Sequence, residues 1–390
     1  MRGERKIVTA TPENSETPLE SVASWVTPNR LFFVRNHFNV PDIDSATWEL
    51  VLDGLVDRSL RWSLAELAAM PQHSVFATVE CAGNGRSFLG GKYSGVQWGA
   101  GAIGHAEWTG VRVLDLLERA GLKLGALEVI FEGADRGEEH GHPEPMNFSR
   151  SLPLGKALDP DTLIALCMNG EWLEANHGAP ARLFVPGWYG VASVKWLTRM
   201  TVIDTVYQGY FQTVKYTVDR LTPSGTERVP LGAGSVKSEI VSPRPDDILG
   251  LGTNRVAGIA WAGEQRIARV DLSTDGGCTW VGTKLTGLQQ PYSWCHWEYL
   301  WPAATPGSYR LCSRAYTTSG EAQPFDYDAK NLGYAINFML PRKVQVSAAS
   351  EARATYADAS RWLYDMDLFA EENTRRPLDV ELAFTAGDGI

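Results

Sequence analysis

Residues 78–86 read Thr78-Val-Glu-Cys-Ala-Gly-Asn-Gly-Arg86, a stretch that places Cys81 where an apolar strand meets a glycine-rich loop. The glycines let the backbone turn sharply and leave room beside the sulfur. Arg86 puts a permanent cation nearby, which favours thiolate over thiol. A thiolate in an open loop is either a nucleophile or a soft metal ligand. The alternative is a buried cysteine that packs as a small hydrophobe, and the stretch alone leaves both interpretations open.

Further motifs lie on both sides of this loop. In chain order they are Phe32-Phe33-Val34-Arg35-Asn36-His37, Trp98 with Gly101-Ala102-Ile103-Gly104, Phe131-Glu132-Gly133-Ala134-Asp135, His177-Gly178-Ala179-Pro180-Ala181-Arg182, Pro186-Gly187-Trp188-Tyr189-Gly190 and Ser193-Val194-Lys195-Trp196. Together with the cysteine loop they resemble the sulfite oxidase family of molybdenum enzymes, over roughly residues 25 to 345. The resemblance implies a mixed α+β molybdopterin-binding domain followed by an immunoglobulin-like β-sandwich that mediates dimerisation.

The chain is long enough for more than one domain, since 390 residues exceed what a single core usually supports. We expect an N-terminal arm (1–24), a molybdenum cofactor-binding catalytic domain (25–231), the sandwich dimerisation domain (232–346) and a C-terminal extension (347–390) whose role the sequence leaves open. In the sandwich, Val270 and Leu272, like Val344 and Val346, alternate with polar residues. On pattern alone, an immunoglobulin-like module with an unknown partner fits equally well.

Local signals in the first half predict short elements of both kinds. Ser63 and Glu66 form a capping-box pattern that opens a helix. Thr109 is a candidate cap for a second helix, which Gly121 would end. Asn169-Gly170 is a strong hairpin signal. Because helices and strands are mixed without a regular βαβ rhythm, the first domain is predicted to be α+β.

Charge and cysteine usage narrow the functional classes. A net charge of −10 argues against a general nucleic-acid or anionic-membrane partner, so any anionic ligand needs a local basic pocket. No apolar run approaches membrane-spanning length, and the first residues lack the features of a signal peptide. We therefore expect a cytoplasmic protein, or a periplasmic one if a leader has been removed. The five cysteines contain no Cys-x-x-Cys pair, which disfavours a disulfide framework, structural zinc and an attached haem.

The resemblance also assigns the cofactor site. It implies that the Cys81 thiolate and the dithiolene sulfurs of molybdopterin together hold molybdenum. The phosphate and the pterin of the cofactor need cations and hydrogen-bonding partners. Those implied by the motifs are Phe33, Arg35, Asn36, His37, Asp135, His177, Arg182, Ser193 and Lys195.

A small anionic substrate also needs cations and donors, and arginine suits oxyanions best. The resemblance implies Arg35, Arg86 and Arg266 for this pocket, with Arg266 reaching in from the second domain. Tyr216 is taken as the pocket tyrosine, although Tyr207 and Tyr210 are nearby alternatives. Trp98 is expected to form a wall of the pocket.

The chain departs from the family pattern at two places. Gly85 stands where animal and plant sulfite oxidases carry another arginine, and residues 331–337 contain no counterpart of their last substrate arginine. Both departures leave the identity of the oxyanion open. His140 and His142 form a His-x-His pair without a third ligand in view, so their role is also left open.

The expected function is the oxidation of sulfite to sulfate by oxygen-atom transfer. Electrons would pass to an external acceptor, oxygen or a cytochrome, and the protein would be a homodimer. One alternative is the same cofactor acting on nitrate, another oxyanion or a sulfoxide. A more distant alternative is a non-enzymatic binding protein built on the immunoglobulin-like domain.

Overall fold

The computed structural model describes residues 4–139, 141–142 and 144–348. It begins with a three-stranded antiparallel sheet of β1 (Lys6–Ala10), β2 (Glu13–Glu16) and β3 (Val34–Arg35). Asn14 lies opposite Arg35 in this sheet, and Asn14 and Ser15 are buried. For β2, this corrects the expectation that the segment forms an arm outside the core. The polar residues of β2 can be buried because they have hydrogen-bond partners. The Asn14 Oδ1, for example, accepts from the backbone N–H of Asn36, directly after β3, at 3.0 Å.

Two five-stranded sheets form the bulk of the first domain. Their strands are β4 (Glu49–Gly54), β5 (Leu60–Ser63), β6 (His73–Glu80), β7 (Ile103–Arg112), β8 (Glu128–Gly137), β9 (Met146–Pro153), β10 (Leu163–Met168), β11 (Glu171–Trp172), β12 (Arg182–Phe184) and β13 (Leu197–Ile203). One sheet has the order β5-β4-β13-β8-β9, in which β4 and β13 are parallel. The other has the order β11-β10-β7-β6, with β12 also paired to β10.

The helices of this domain are short. They are α1 (Leu64–Ala69), α2 (Val113–Ala120), α3 (Leu154–Ala157) and α4 (Tyr210–Thr213). Single 3₁₀ turns occupy Leu19–Ala23, Asn29–Leu31, Arg86–Leu89, Ala175–His177, Gly190–Ala192 and, in the second domain, Ala329–Asn331. A hairpin of β14 (Thr217–Thr222) and β15 (Gly225–Pro230) follows α4 and precedes the second domain.

Most of the local sequence signals are confirmed. Ser63 and Glu66 form the predicted capping box at the start of α1. Asn169 and Gly170 both have positive φ angles in the turn between β10 and β11, as a tight hairpin requires. The predicted cap at Thr109 is wrong because Thr109 pairs with Cys167 inside the sheet. The second helix therefore begins after β7 has ended.

The second domain is a two-sheet sandwich. Its strands are β16 (Lys237–Ser242), β17 (Ile248–Gly250), β18 (Gly252–Trp261), β19 (Ile267–Ser273), β20 (Val281–Gly282), β21 (Lys284–Thr286), β22 (Cys295–Ala303), β23 (Gly307–Thr317) and β24 (Arg342–Ser347). The sheets have the orders β16-β18-β22-β21 and β17-β24-β23-β19-β20. As the alternation predicts, Val270, Leu272, Val344 and Val346 are buried in one core. The α+β domain followed by a β-sandwich is thus confirmed.

The two domains share a packed seam. Val22 and Ile103 of the first domain form one apolar cluster with Ile259, Trp261 and Trp294 of the second. Strands β16 and β18 are therefore held against the part of the first domain that carries the cysteine loop. Within the described residues, no helix is long and apolar enough to cross a membrane. The C-terminal extension from residue 349 onward lies outside the described part of the chain.

Candidate active site

Cys81 follows directly after β6, at the start of the loop that the sequence singled out. Its backbone N–H bonds to the carbonyl of Ala102 at 2.9 Å, and its own carbonyl accepts from Asn84 at 2.8 Å. Gly85 has a φ of 99°, so the turn needs glycine at this position. The side chain of Cys81 is largely buried but lines a cavity, as expected of a ligand loop.

The cavity has about 690 Å³ of empty volume, open solvent at its mouth included. It gathers residues from the separate sequence motifs. Its lining includes Phe33, Arg35, His37, Cys81, Asp135, His177, Arg182, Ser193, Lys195 and Tyr216, all of which the sequence proposed, and also Asn176. Segments that are far apart in the chain therefore converge on one space beside the Cys81 sulfur.

A bonded group of three residues forms one part of the lining. The Arg35 Nη2 donates to the Tyr216 hydroxyl at 3.2 Å, and His37 Nε2 also bonds to that hydroxyl. Burial, and then the charge of Arg35, keep the pKa of His37 well below its usual range, so the imidazole is neutral. Burial raises the pKa of Tyr216 to about 12, so the phenol is protonated at neutral pH. Arg35 therefore presents its charge beside two neutral hydrogen-bonding groups.

The structure distinguishes among the three candidate tyrosines. Tyr216 lines the cavity, whereas the Tyr207 hydroxyl bonds to Ser149 at 2.7 Å. Tyr210 packs against His142, with ring centroids 5.9 Å apart. Tyr216 also has a φ of 57°, a left-handed conformation that is unusual for a residue with a side chain and often marks a functional position.

A second part of the lining is rich in positive charge. Arg182 donates to the carbonyls of His177 and Ser193 at 3.0 and 3.1 Å, and burial lowers its pKa to about 9. The Lys195 Nζ donates to the Asn176 carbonyl at 2.8 Å, and it lies 4.1 Å from the centre of the Trp196 ring. Burial first, then Arg182, keep the pKa of Lys195 well below its usual range.

Few negative charges balance these cations. Asp135 is the one carboxylate among the lining residues, and burial raises its pKa to about 6. His177 is neutral, because burial and the nearby Lys195 lower its pKa to about 3. The Nε of Arg182 is buried without a hydrogen-bond partner among the described residues. Buried cations that outnumber the nearby carboxylates are costly, so the cavity has the chemistry of an anion site.

Four other predicted site residues are placed outside the lining. Asn36 lies just behind it, where its side-chain oxygen accepts from the Lys195 Nζ. Trp98 is fully buried in the cluster that packs on Cys81, so it supports the loop from the core rather than forming an open wall. Arg86 is buried and directs its Nε and Nη1 to the carbonyls of Gly333 and Val96 at 3.0 and 2.9 Å.

Arg266 is not brought to the cavity. It lies in the turn between β18 and β19, and its side chain is exposed. The expectation that it reaches into the pocket is corrected by this placement. The turn itself does contact the first domain, but through Gly263 and Glu264, which pack against Gly187.

The sequence analysis did not identify the polar residues Asn176 and Asn14 at or beside the site. Asn176 lines the cavity and donates to Glu13 at 3.0 Å. Its position directly before the His177 motif was the available signal. Asn14 accepts from the Arg35 Nη1 at 3.3 Å and so helps to hold that guanidinium. Nothing local in the sequence marks Asn14, because the three-stranded sheet alone brings it to Arg35.

Of the histidine pair after β8, only His142 lies in the described part of the chain. The His142 Nδ1 bonds to the Glu144 carbonyl at 2.8 Å, and His140 lies outside the described residues. Within residues 4–139, 141–142 and 144–348, no group of three or more His, Cys, Asp or Glu side chains is arranged to hold a metal ion.

Comparisons with known proteins identify the family of this chain. The family model for the oxidoreductase molybdopterin binding domain matches residues 37–211, and that for the Mo-co oxidoreductase dimerisation domain matches residues 232–346. Sulfite oxidase of Gallus gallus is 37% identical over 80% of this chain and 71% of its own length. Sulfite oxidase of Arabidopsis thaliana is 36% identical over 73% of this chain and 76% of its own length. The chain spans 58% of the fly relative and 56% of the human relative.

A solved structure is similar over most of the chain. The crystal structure of the sulfane dehydrogenase SoxCD from Paracoccus pantotrophus has a TM-score of 0.76, is 30% identical and covers 87% of each chain. A cysteine beside a cation-lined cavity, on these two domains, defines a molybdopterin-dependent oxidoreductase. The chain belongs to the sulfite oxidase family of these enzymes. The resemblance drawn from the sequence motifs is thereby confirmed.

The residues present fit molybdopterin. The excess of buried cations and the unpartnered Nε of Arg182 suit a group that carries a phosphate. Cys81 offers the soft sulfur that a sulfur-rich molybdenum site prefers. Arg182, Lys195, His177 and Asn176 would hold the polar parts of the cofactor.

Proposed function

We propose that this protein oxidises sulfite to sulfate and passes the electrons to an external acceptor. The observation that carries the proposal is the cavity itself, in which Cys81, the Arg35–Tyr216 pair and an excess of buried cations meet. The names of the relatives support it, because sulfite oxidases of animals and a plant match most of this chain. When bound, molybdopterin with molybdenum supplies two-electron oxygen-atom-transfer chemistry.

The residues of the chain contribute binding and orientation. Arg35 stays charged at any working pH and neutralises an incoming oxyanion. In the tautomer with the proton on Nε2, His37 and Arg35 both donate to the Tyr216 oxygen. The Tyr216 proton is then free to donate to the substrate. Positioned donors of this kind stabilise developing charge without reorganisation.

The remaining parts of the proposal concern partners and location. We infer a homodimer that forms through residues 232–346, supported by the match to a dimerisation domain. The acceptor would be oxygen or a cytochrome. All five cysteines are free, which supports a cytoplasmic location or another reducing compartment.

One experiment tests the central proposal. Purified full-length protein should contain near-stoichiometric molybdenum and phosphorus and should reduce an artificial acceptor when sulfite is added. Light scattering at micromolar concentration should give the mass of a dimer. A molybdenum-loaded preparation that leaves sulfite unchanged would refute the proposed substrate.

A second candidate is the same cofactor acting on a different substrate. It is favoured because Arg86 and Arg266, two of the arginines expected in the substrate pocket, do not line the cavity. Arg35 then carries most of the positive charge that faces the substrate. A less charged substrate, such as nitrate, a sulfoxide or a sulfane, would suit that arrangement. Parallel assays with sulfite, nitrate and dimethyl sulfoxide separate these cases by catalytic efficiency.

A further inference from the structure

A segment of the second domain crosses to the Cys81 loop. This crossing segment comprises residues 331–337, between the 3₁₀ turn Ala329–Asn331 and β24. The Ala335 N–H donates to the Ala82 carbonyl at 2.9 Å, and the Arg86 Nε donates to the Gly333 carbonyl at 3.0 Å. The segment is therefore bonded both to the residue after Cys81 and to the arginine that ends the loop.

The crossing segment has an unusual backbone. Leu332 and Ala335 have φ angles of 54° and 46°, which residues with side chains rarely adopt. Such conformations persist only where the surroundings impose them, and they concentrate at functional sites. Here the surroundings are the Cys81 loop on one side and Tyr327 on the other, whose hydroxyl bonds to the Gly333 N–H.

Tyr334 stands between these strained positions and reaches the active-site group. Its ring packs on that of Tyr216, with centroids 4.9 Å apart, and the Arg86 guanidinium carbon lies 5.2 Å from its centre. Arg35 in turn donates to Tyr216. Four side chains therefore form one continuous row beside Cys81, in the order Arg86, Tyr334, Tyr216 and Arg35. Only Tyr334 of these four comes from the second domain.

Tyr334 does not itself line the cavity, but its ring packs on Tyr216, which does. The side chain of Tyr334 is half-buried, and no hydrogen bond joins its hydroxyl to another group in the described part of the chain. Tyr327 bonds to the backbone carbonyl of Tyr334 at 3.3 Å and so fixes the segment without using the side chain. Burial raises the pKa of Tyr216, and the oxygen of Tyr334 is near enough to add to that rise.

From this geometry we propose that Tyr334 is a substrate-contacting residue, which the second domain delivers to the anion pocket. Its hydroxyl donates a hydrogen bond to the oxyanion held by Arg35 and Tyr216, while its ring keeps Arg86 in place. The crossing segment contains no lysine or arginine, so the second domain contributes a neutral donor at this position. The identity of the anion in this inference rests on the proposed function. The contact between Tyr334 and an anion does not.

The test uses Tyr334→Phe, which keeps the ring and removes the hydroxyl. On molybdenum-loaded protein we expect sulfate to bind about five- to tenfold more weakly by calorimetry, the factor that corresponds to about 1–1.4 kcal/mol for one hydrogen bond. The KM for sulfite should rise by a similar factor while kcat changes less than about twofold. Tyr309→Phe is the matched control, because it also removes a tyrosine hydroxyl from the second domain. That hydroxyl bonds to Thr305, just before β23. The sulfate affinity and KM of this control should equal those of the unaltered protein.

A second variant, Tyr334→Ala, also removes the ring. It should lower kcat as well as raise KM, because Arg86 and Tyr216 lose a packing partner. If Tyr334→Ala does not fold, the Tyr334→Phe result still decides the question.

Two outcomes would overturn the inference. One is a Tyr334→Phe variant with unchanged sulfate affinity and KM at full molybdenum content. The other is a loss of molybdenum in that variant, which would assign the hydroxyl to holding the cofactor. If the unaltered protein does not oxidise sulfite but Tyr334→Phe still binds sulfate more weakly, the proposed reaction fails and the contact stands.

Discussion

The cavity and the seam between the domains both bury charged side chains near Cys81, and they differ in charge balance. The cavity sets Arg35, Arg182 and Lys195 against a single lining carboxylate, Asp135. Burial lowers the pKa of Arg182 to about 9, because desolvation disfavours the charged guanidinium. Unbalanced buried charge is costly to the fold, so it is expected where a ligand of opposite charge binds.

The seam contains a balanced group of two carboxylates and two cations, which we call the Glu80 cluster: Glu80, Glu239, Lys237, Arg342 and Trp261. The Glu80 carboxylate accepts from the Lys237 Nζ at 3.3 Å and from the Trp261 Nε1 at 2.9 Å. Lys237 also lies 3.9 Å from Glu239. Burial raises the pKa of Glu239, and Lys237 and a nearby arginine oppose that rise. Glu80 directly precedes Cys81, so its bonds to Lys237 and Trp261 join the second domain to the cysteine loop. The cluster differs from the cavity because each of its carboxylates lies near a cation.

The largest effect is expected at Cys81, which lies beside both the cavity and the Glu80 cluster. Cys81→Ser should abolish turnover, because a hydroxyl is a poor substitute for thiolate sulfur at molybdenum. The fold should persist, since serine is close to cysteine in size. Sulfite oxidation, molybdenum content and thermal melting of the variant measure these effects. Activity that survives at full molybdenum loading would show that Cys81 is not the ligand.

Lys237→Met tests the balanced group. The change leaves the Glu80 and Glu239 carboxylates buried without their main cation, so we expect the free energy of unfolding to fall by about 3–5 kcal/mol. Urea denaturation of the cofactor-free protein provides the measurement. The double variant Lys237→Met with Glu80→Gln should recover part of the loss, because one unpaired charge is then removed. A loss below about 1 kcal/mol would contradict the assigned pairing.

The same substitution in the cavity, Lys195→Met, should have the opposite profile. Burial and Arg182 already disfavour the Lys195 charge, so the stability of the cofactor-free protein should change by about 1 kcal/mol or less. Cofactor retention should weaken about 10- to 100-fold, because a charge-assisted hydrogen bond is lost. Molybdenum content after dialysis measures retention, with Lys237→Met as the matched control. Equal stability losses at the two lysines would remove the distinction between the two regions.

The smallest effect concerns pH. His105 is fully buried in the seam, bonded to the Trp25 carbonyl at 2.7 Å and to Ser293 at 2.9 Å, and burial lowers its pKa to about 3. The unfolded chain therefore binds a proton at His105 that the folded protein does not, between about pH 6.5 and 3. Stability is fully present above that window and falls as the pH is lowered through it.

His105→Asn should reduce the dependence of unfolding free energy on pH by about 1.4 kcal/mol per pH unit near pH 5, the value for one proton. Denaturation curves of both proteins at pH 5 and pH 7 measure it. An unaltered slope in His105→Asn would mean that this histidine is protonated in the folded protein.

Much of the fold and part of the site could be predicted where the signal is local. The capping box at Ser63, the hairpin at Asn169-Gly170 and the alternation around Val270 each depend on neighbouring residues alone, and the structure has them. The loop with Cys81 and the motifs that carry Arg182 and Lys195 were readable because they keep a fixed order and spacing. Their placement in one cavity agrees with that order, although the role of each residue stays a prediction.

Other features were decided only by the tertiary structure. Asn14 reaches Arg35 because a hairpin in a polar segment pairs with β3, and Tyr334 reaches Arg86 because a segment 247 residues further on crosses between domains. Arg266 fails to reach the cavity because its turn packs through glycine and leaves the side chain in solvent. The sequence by itself determined which chemical groups the protein has and how short stretches fold. Strand pairing and domain packing decide which distant groups meet. Their free energies are sums over many contacts, so no single position in the sequence reveals them.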